Sequence, residues 1–420
     1  MPSIFARSQQ MLRQLTKTKR PKAAPRLSRR STKLRAQDLG ALSKRILLPS
    51  LPSADEDMTR MAIWEQGRRL ARQENWDTFS SKLQVADAAR LSTAGGMSEA
   101  MLLIMGAHAD VVAAASDSLL DGRAPDPMGL QALEGLLTDR PDDYTTALVV
   151  AMAHIRIARA WQSAIEGPLP IDTPNGPVHL ESARDILSRF DAEALDAPSL
   201  AAVDAALIES LDPSPGKIVA SYRKLINMDP DCIQYLRAYG PILLSADAKQ
   251  STALMREAGM ICDQTHDIWG DGAYVWVQID ALAQEPTALA HLDVDLFIQG
   301  MRDILKARTN QHIANELAAF CAMCMAPQPG LPRAAEAARA RLHACLNWIL
   351  ERHLHELHPR VWAEWGQPLA TTDPSTGHRV LLAQGREIAL RSIAAFFADQ
   401  LADGSSIAFS PSGMYRLPAI

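Results

Sequence analysis

From residue 53 onward, apolar side chains recur every three or four positions for ten to twenty residues at a time, and each run ends at a breaker. That spacing puts one stripe of each run on a single helix face. Ile63, Trp64, Gly67, Leu70 and Ala71 form one stripe; Leu83 and the stretch from Val85 to Leu91 suggest another. Met101 to Leu120 follows, closed by Asp121-Gly122-Arg123-Ala124-Pro125-Asp126-Pro127. Leu148, Met152 and Ile155 continue the pattern up to Gly167-Pro168, and Leu200, Val203, Leu207 and Leu211 line up behind Pro198. Later stripes hold Trp276, Ile279 and Ala283, then Val294, Phe297, Met301 and Ile304, then Ile313, Leu317, Phe320 and Cys324. Leu342, Cys345 and Ile349 come next, and Leu390, Ile393, Phe397 and Leu401 last. About a dozen helices with short connections predict an all-α fold of stacked antiparallel helix hairpins. Period-two alternation is nearly absent; Arg379-Val380-Leu381-Leu382 and Ser406 to Arg416 are the stretches that read as short extended pieces.

Boundaries follow from the breakers. Pro49 and Pro52 precede Ser53-Ala54-Asp55-Glu56, which has capping-box spacing: the Ser hydroxyl takes an early helix N–H and the Glu reaches back to the cap. The folded body is therefore expected to begin at 53. Residues 1–52 read as a basic, largely disordered arm, 53–365 as the hairpin stack, and 366–420 as a C-terminal extension with one helix and short extended pieces.

The window from Ala220 to Leu244 places Tyr222, Leu225, Pro230, Leu236, Tyr239, Gly240 and Leu243 at spacings that resemble a tetratricopeptide repeat, from its second helix into the next first helix. The match covers about one repeat. Ala202, Ala205 and Ala206 stand where Trp, Leu and Gly are usual, and Pro241 falls inside the following helix, where it predicts a kink. The resemblance implies an α-solenoid-like scaffold with a concave surface for a protein or peptide.

Charge changes the picture at the front of the chain. The first 47 residues carry 13 Lys or Arg and one acid, Asp38, whereas the rest carries 30 bases and 47 acids; the net charge of -5 hides both. Ile4, Phe5, Ser8, Met11, Leu12 and Leu15 recur at helical spacing, and the candidate contact residues are Arg7, Arg13, Lys17, Lys19, Arg20, Lys22, Arg29 and Arg30. Such an arm fits a solubilising tail, a tether to anionic membrane or nucleic acid, or an organelle targeting peptide. Phe5 is its lone aromatic, a poor complement for stacking on unpaired bases.

Five widely spaced cysteines in a long chain fit free thiols in a reducing, cytoplasmic setting rather than a disulfide framework. The longest apolar run, Ala100 to Ala109, is half a membrane span and contains His108. No transmembrane segment is expected.

The set with most chemical interest is His312, Glu316, Cys321 and Cys324. His312 and Glu316 stand i, i+4 on one helix, a spacing that can share a metal, and the thiols form a C-x-x-C. No second C-x-x-C completes a structural zinc site, so buried thiols are expected. His353, His355, Glu356 and His358 precede Pro359 and read as a helix end whose imidazoles face the last carbonyls. His154 reads as a core histidine. No Gly-x-Ser-x-Gly and no phosphate loop occurs, and Gly270-Asp271-Gly272 reads as a turn.

The leading expectation is a non-enzymatic adaptor that needs no cofactor, binding a protein on its helical surface with the arm on an acidic partner. Two alternatives stand beside it: an α-helical metal-dependent enzyme using His312 and Glu316, and a membrane- or nucleic-acid-associated structural protein acting through the arm.

Overall fold

The computed structural model describes residues 39–51, 55–165, 175–246, 251–366 and 378–418. The helices in chain order are α1 (Leu39–Arg45), α2 (Asp55–Arg72), α3 (Trp76–Ala88), α4 (Glu99–Ala107), α5 (Ala109–Leu120), α6 (Met128–Asp139) and α7 (Tyr144–Ile165). Then come α8 (Gly176–Leu187), α9 (Pro198–Leu211), α10 (Pro215–Met228), α11 (Ile233–Ala246), α12 (Ser251–Gln264), α13 (His266–Trp269) and α14 (Gly272–Gln284). The rest are α15 (Val294–Ala307), α16 (Gln311–Ala319), α17 (Arg333–Ala344), α18 (Leu346–Arg352), α19 (Pro359–Gly366), α20 (His378–Phe396) and α21 (Ala398–Ala402). Three short strands, β1 (Ile46–Leu47), β2 (Ser406–Ser410) and β3 (Gly413–Leu417), are the exception to an otherwise helical chain. The all-α expectation is met.

The chain divides into two compact units. The central unit takes Asp55–Ala258 with Trp276–Asp280; the terminal unit takes the described residues before Ala54, then Gly259–Val275, and those from Ala281 onward.

In the central unit, α7 is apolar on every side. Leu148, Val149, Val150, Ala151, Ala153 and Ile155 are all fully buried, the pattern of a helix at the middle of a core rather than at its rim. It packs against α3, α4, α5, α6, α8 and α9. A quasi-one-dimensional stack would put each hairpin only against its neighbours; here several hairpins share one central helix. Sequential packing of the stack type runs through α9, α10 and α11. There Tyr222 and Tyr239, both buried, stack with centroids 5.3 Å apart and planes 9° from parallel. α11 continues through Pro241.

α2 and α4 cross at two glycines. A Cβ on Gly67 would lie 2.2 Å from the Leu103 carbonyl oxygen, and one on Gly106 would lie 1.9 Å from that of Trp64. Arg68 and Arg72 of α2 then reach Asp110 at the start of α5. Glu56 does not act as the reach-back residue of a capping box. Its two oxygens accept from Thr93 Oγ1 (2.6 Å) and Gly95 N (2.7 Å), holding the loop between α3 and α4, while Ser53 lies outside the described residues.

The terminal unit opens before the proline pair. Leu42 and Ile46 are 2% exposed, so the folded body starts ahead of residue 53. β1 pairs in parallel with β2 (Ile46 with Ile407), and β2 pairs antiparallel with β3. Arg45 donates to the carbonyls of Leu401 and Ser405. Ser406 to Arg416 is extended as expected, but Arg379 to Leu382 is not: it is the first turn of α20. Val380 is 52% exposed, so this run is a solvated helix start and not a buried strand, and the buried stripe begins only at Ala389 and Leu390. α20 packs on α19, where a Cβ on Gly385 would meet the Pro359 carbonyl oxygen at 1.8 Å.

Among the described residues no single helix is long and apolar enough to cross a membrane. α4 and α5 pass that test only together, bent by 57°, and most of α4 is buried inside the protein.

Candidate functional site

α16 is short and buried along its whole length from His312 to Ala319. Asn310 caps it, its side chain accepting from Ile313 N at 2.9 Å. One edge of this buried helix nevertheless carries Gln311, His312, Asn315 and Glu316. Polar groups taken out of water need partners, and these find them in the segment 353–358 and in α19.

Gln311 Oε1 accepts from His355 N (2.8 Å) and Glu356 N (3.0 Å), and its Nε2 donates to the His353 carbonyl (2.8 Å). Asn315, wholly buried, donates from Nδ2 to the carbonyls of Gln311 and Glu356, each at 2.8 Å. Its Oδ1 accepts from His358 N (3.0 Å) and Trp362 Nε1 (2.8 Å). Glu316 Oε2 accepts from Trp365 Nε1 at 2.7 Å, and Glu316 Oε1 lies 3.6 Å from His312 Nε2.

His358 is buried at 6% exposure and donates from Nε2 to Glu356 Oε1 at 2.9 Å. Its Nδ1 has no hydrogen-bond partner among the described residues. The His312 and His358 rings lie 6.1 Å apart. The reading of 353–358 as a helix end facing solvent is thus corrected. α18 stops at Arg352, Pro359 opens α19 instead of closing a helix, and the turn between them is braced from inside by α16. Proline suits a first helical position because its missing N–H would have no helical partner there. Burial lowers the His353 imidazole, with Arg352 adding to the effect.

The structure brings His312 and Glu316 together and sends the thiols another way. After Ala319 the helix widens into a π turn over Phe320–Cys324, closed by Met325 N donating to the Phe320 carbonyl at 3.2 Å. The extra residue rotates the stripe: Cys321 becomes fully buried against Met301 (Sγ to Sδ 4.0 Å), and Cys324 is half-buried. Burial pushes the Cys321 thiol well up, with Cys345 and Cys324 adding to it, which makes it a poor nucleophile. All five cysteines are free. Among the described residues no three His, Cys, Asp or Glu side chains converge closely enough to hold a metal ion. Arg7, Arg13, Lys17, Lys19, Arg20, Lys22, Arg29 and Arg30 lie outside the described residues.

Sequence reasoning passed over the residues that organise this site. Gln311 and Asn315 stand i, i+4 beside an apolar stripe, and an amide pair at that spacing on a buried helix is the signal that was available. It also passed over buried acids of the central unit. Asp87 accepts from Ser199 N and Oγ and from the Tyr144 hydroxyl; burial raises its carboxyl, and those hydrogen bonds oppose the shift. Glu257, 2% exposed, pairs with Arg223 and accepts from the Tyr239 hydroxyl at 2.9 Å.

No protein-family model matches the chain, no curated protein matches it, and no solved structure matches its fold.

Proposed function

We propose that the chain is a non-enzymatic helical scaffold that binds a protein or peptide partner, and that its cationic first 47 residues add contacts to an acidic partner or surface. What supports this is how the catalytic-type residues are used. Gln311 and Asn315 spend both amide atoms on backbone and indole groups that fix one turn, and Glu316 spends an oxygen on Trp365. Side chains so engaged position structure and are not poised for substrate. The hairpin run through α9, α10 and α11, with its stacked tyrosines, is the part whose sequence resembles a tetratricopeptide repeat, and it is where the partner surface is placed.

Cross-linking mass spectrometry on the full-length chain in its own cells tests this. One reproducible partner linked to residues 198–246 is expected. Abundant links within the chain, with none to any other protein, overturn the scaffold.

One observation favours a second reading, a metal-dependent enzyme: the approach of His312 and His358 with Glu316 and Glu356 beside them. Elemental analysis of untagged protein decides it. Zinc or iron at one equivalent, lost in His358→Gln, favours the enzyme; substoichiometric metal ends it.

A further inference from the structure

Glu134 of α6, His154 of α7 and His179 of α8 stand in a line inside the central unit. His154 is 2% exposed, and its Nδ1 lies 3.0 Å from Nδ1 of His179, the ring centroids being 5.2 Å apart and tilted by 48°. On its far side, Nε2 lies 3.2 Å from Glu134 Oε1, close enough for a charge pair but off the line of a hydrogen bond. Two ring nitrogens at that separation cannot both carry hydrogen, so one must present a lone pair. The carboxylate decides which. It draws the His154 hydrogen to Nε2 and leaves Nδ1 as the lone pair facing His179. Glu134 is partly exposed (42%) and free to turn into alignment.

A lone pair turned inward with the opposite N–H on a carboxylate is how metal-bound imidazoles are held, the carboxylate fixing the tautomer and raising ligand basicity. Burial keeps both rings neutral, pushing His154 and His179 down to about 4, so protons do not compete for the nitrogens near neutral pH. Two nitrogens on one tetrahedral zinc at about 2.0–2.1 Å sit about 3.3 Å apart. The pair needs to open by only a few tenths of an ångström.

The geometry points to a two-histidine site, Nδ1 of His154 and Nδ1 of His179, for an imidazole-preferring divalent ion of the zinc and cobalt kind, with Glu134 as the carboxylate behind it. Among the described residues no third side chain converges there, so the remaining positions are open to water or a small ligand. An open position is the arrangement of reactive rather than purely structural zinc.

The test is calorimetric titration of untagged, chelator-stripped, full-length protein with Zn²⁺, repeated with Co²⁺ and visible spectroscopy. One equivalent is expected, lost in His179→Ala, with about tenfold weaker binding in Glu134→Gln. Identical binding in the wild type and His179→Ala overturns the site, as does no binding at all; the pair is then an N–H···N hydrogen bond. If His179→Ala does not fold, protection of His179 from diethylpyrocarbonate by zinc on the wild-type protein replaces it, and modification unaltered by zinc overturns the site equally.

Discussion

Asn315 is wholly buried and engages four partners through one amide. Asn315→Leu keeps the volume but strands the Trp362 indole N–H, the His358 N–H and the Glu356 carbonyl. Each stranded group costs about 1–3 kcal/mol, so the expected loss is on the order of 3 kcal/mol or more, read as a lower denaturant midpoint by tryptophan fluorescence. A midpoint within error of the wild type contradicts it. Titration acts at this scale too. His108 is 3% exposed, and neither ring nitrogen has a hydrogen-bond partner among the described residues. Burial, then Arg156, pushes it from 6.5 down to about 4. Between those values the unfolded chain takes up a proton that the folded chain refuses, so stability falls as pH is lowered, by up to about 1.4 kcal/mol per pH unit. Asp229 has the opposite sign. Burial pushes it from 3.8 up to about 6, opposed by Arg90, so the folded state keeps a proton that the unfolded chain releases, and its cost appears as pH rises through that window. His108→Leu should flatten the acid limb of melting temperature against pH, and Asp229→Asn should steepen it. Parallel curves for the three proteins would rule this out. None of these three residues announced itself in the chain, because burial and partners are properties of the surroundings.

At the scale of elements, periodicity carried far. Leu200, Val203 and Leu207 are buried on one face as their spacing requires, as are Phe297, Met301 and Ile304. Leu211, the last of its stripe, is 39% exposed, because α9 ends there. Contact between elements was less legible. Gly67 and Gly106 look like ordinary small residues on their stripes, yet each meets backbone, which cannot move aside as a side chain does. Gly67→Ala and Gly106→Ala are each expected to cost about 1–3 kcal/mol by forcing the α2–α4 crossing apart. Gly135→Ala, where a Cβ meets nothing within 4 Å, should be neutral or mildly stabilising, since Ala suits a helix interior. Equal melting temperatures for all three variants would refute the crossing as a tight contact. The π turn is the other limit. A 3.6-residue period put Cys324 on the buried stripe; one extra residue in the turn gave that place to Cys321.

The whole molecule joins segments from opposite ends of the chain. α1 packs on α20 and β2, and β1 pairs with β2, so residues 39–47 belong to the same unit as 406–417. Removing residues 1–47 therefore strips Leu42, Arg45 and Ile46 from that unit along with the basic arm. Removing 1–38 leaves those contacts in place. The shorter deletion is expected to preserve the melting temperature and the longer to lower it by several degrees, on the order of 2–4 °C per kcal/mol; equal melting for both would show that α1 and β1 contribute nothing. The amino-acid order alone determined helical class, stripe positions, the turn at Gly270 and the polarity step near residue 47, because those depend on neighbours within a few residues. Tertiary structure alone decided that α7 lies at the centre of six helices, that α16 braces the 353–358 turn, and that His154 faces His179. Each needs groups from separate helices to meet, and the free energy of such a meeting lies in burial and hydrogen bonding that no local spacing records.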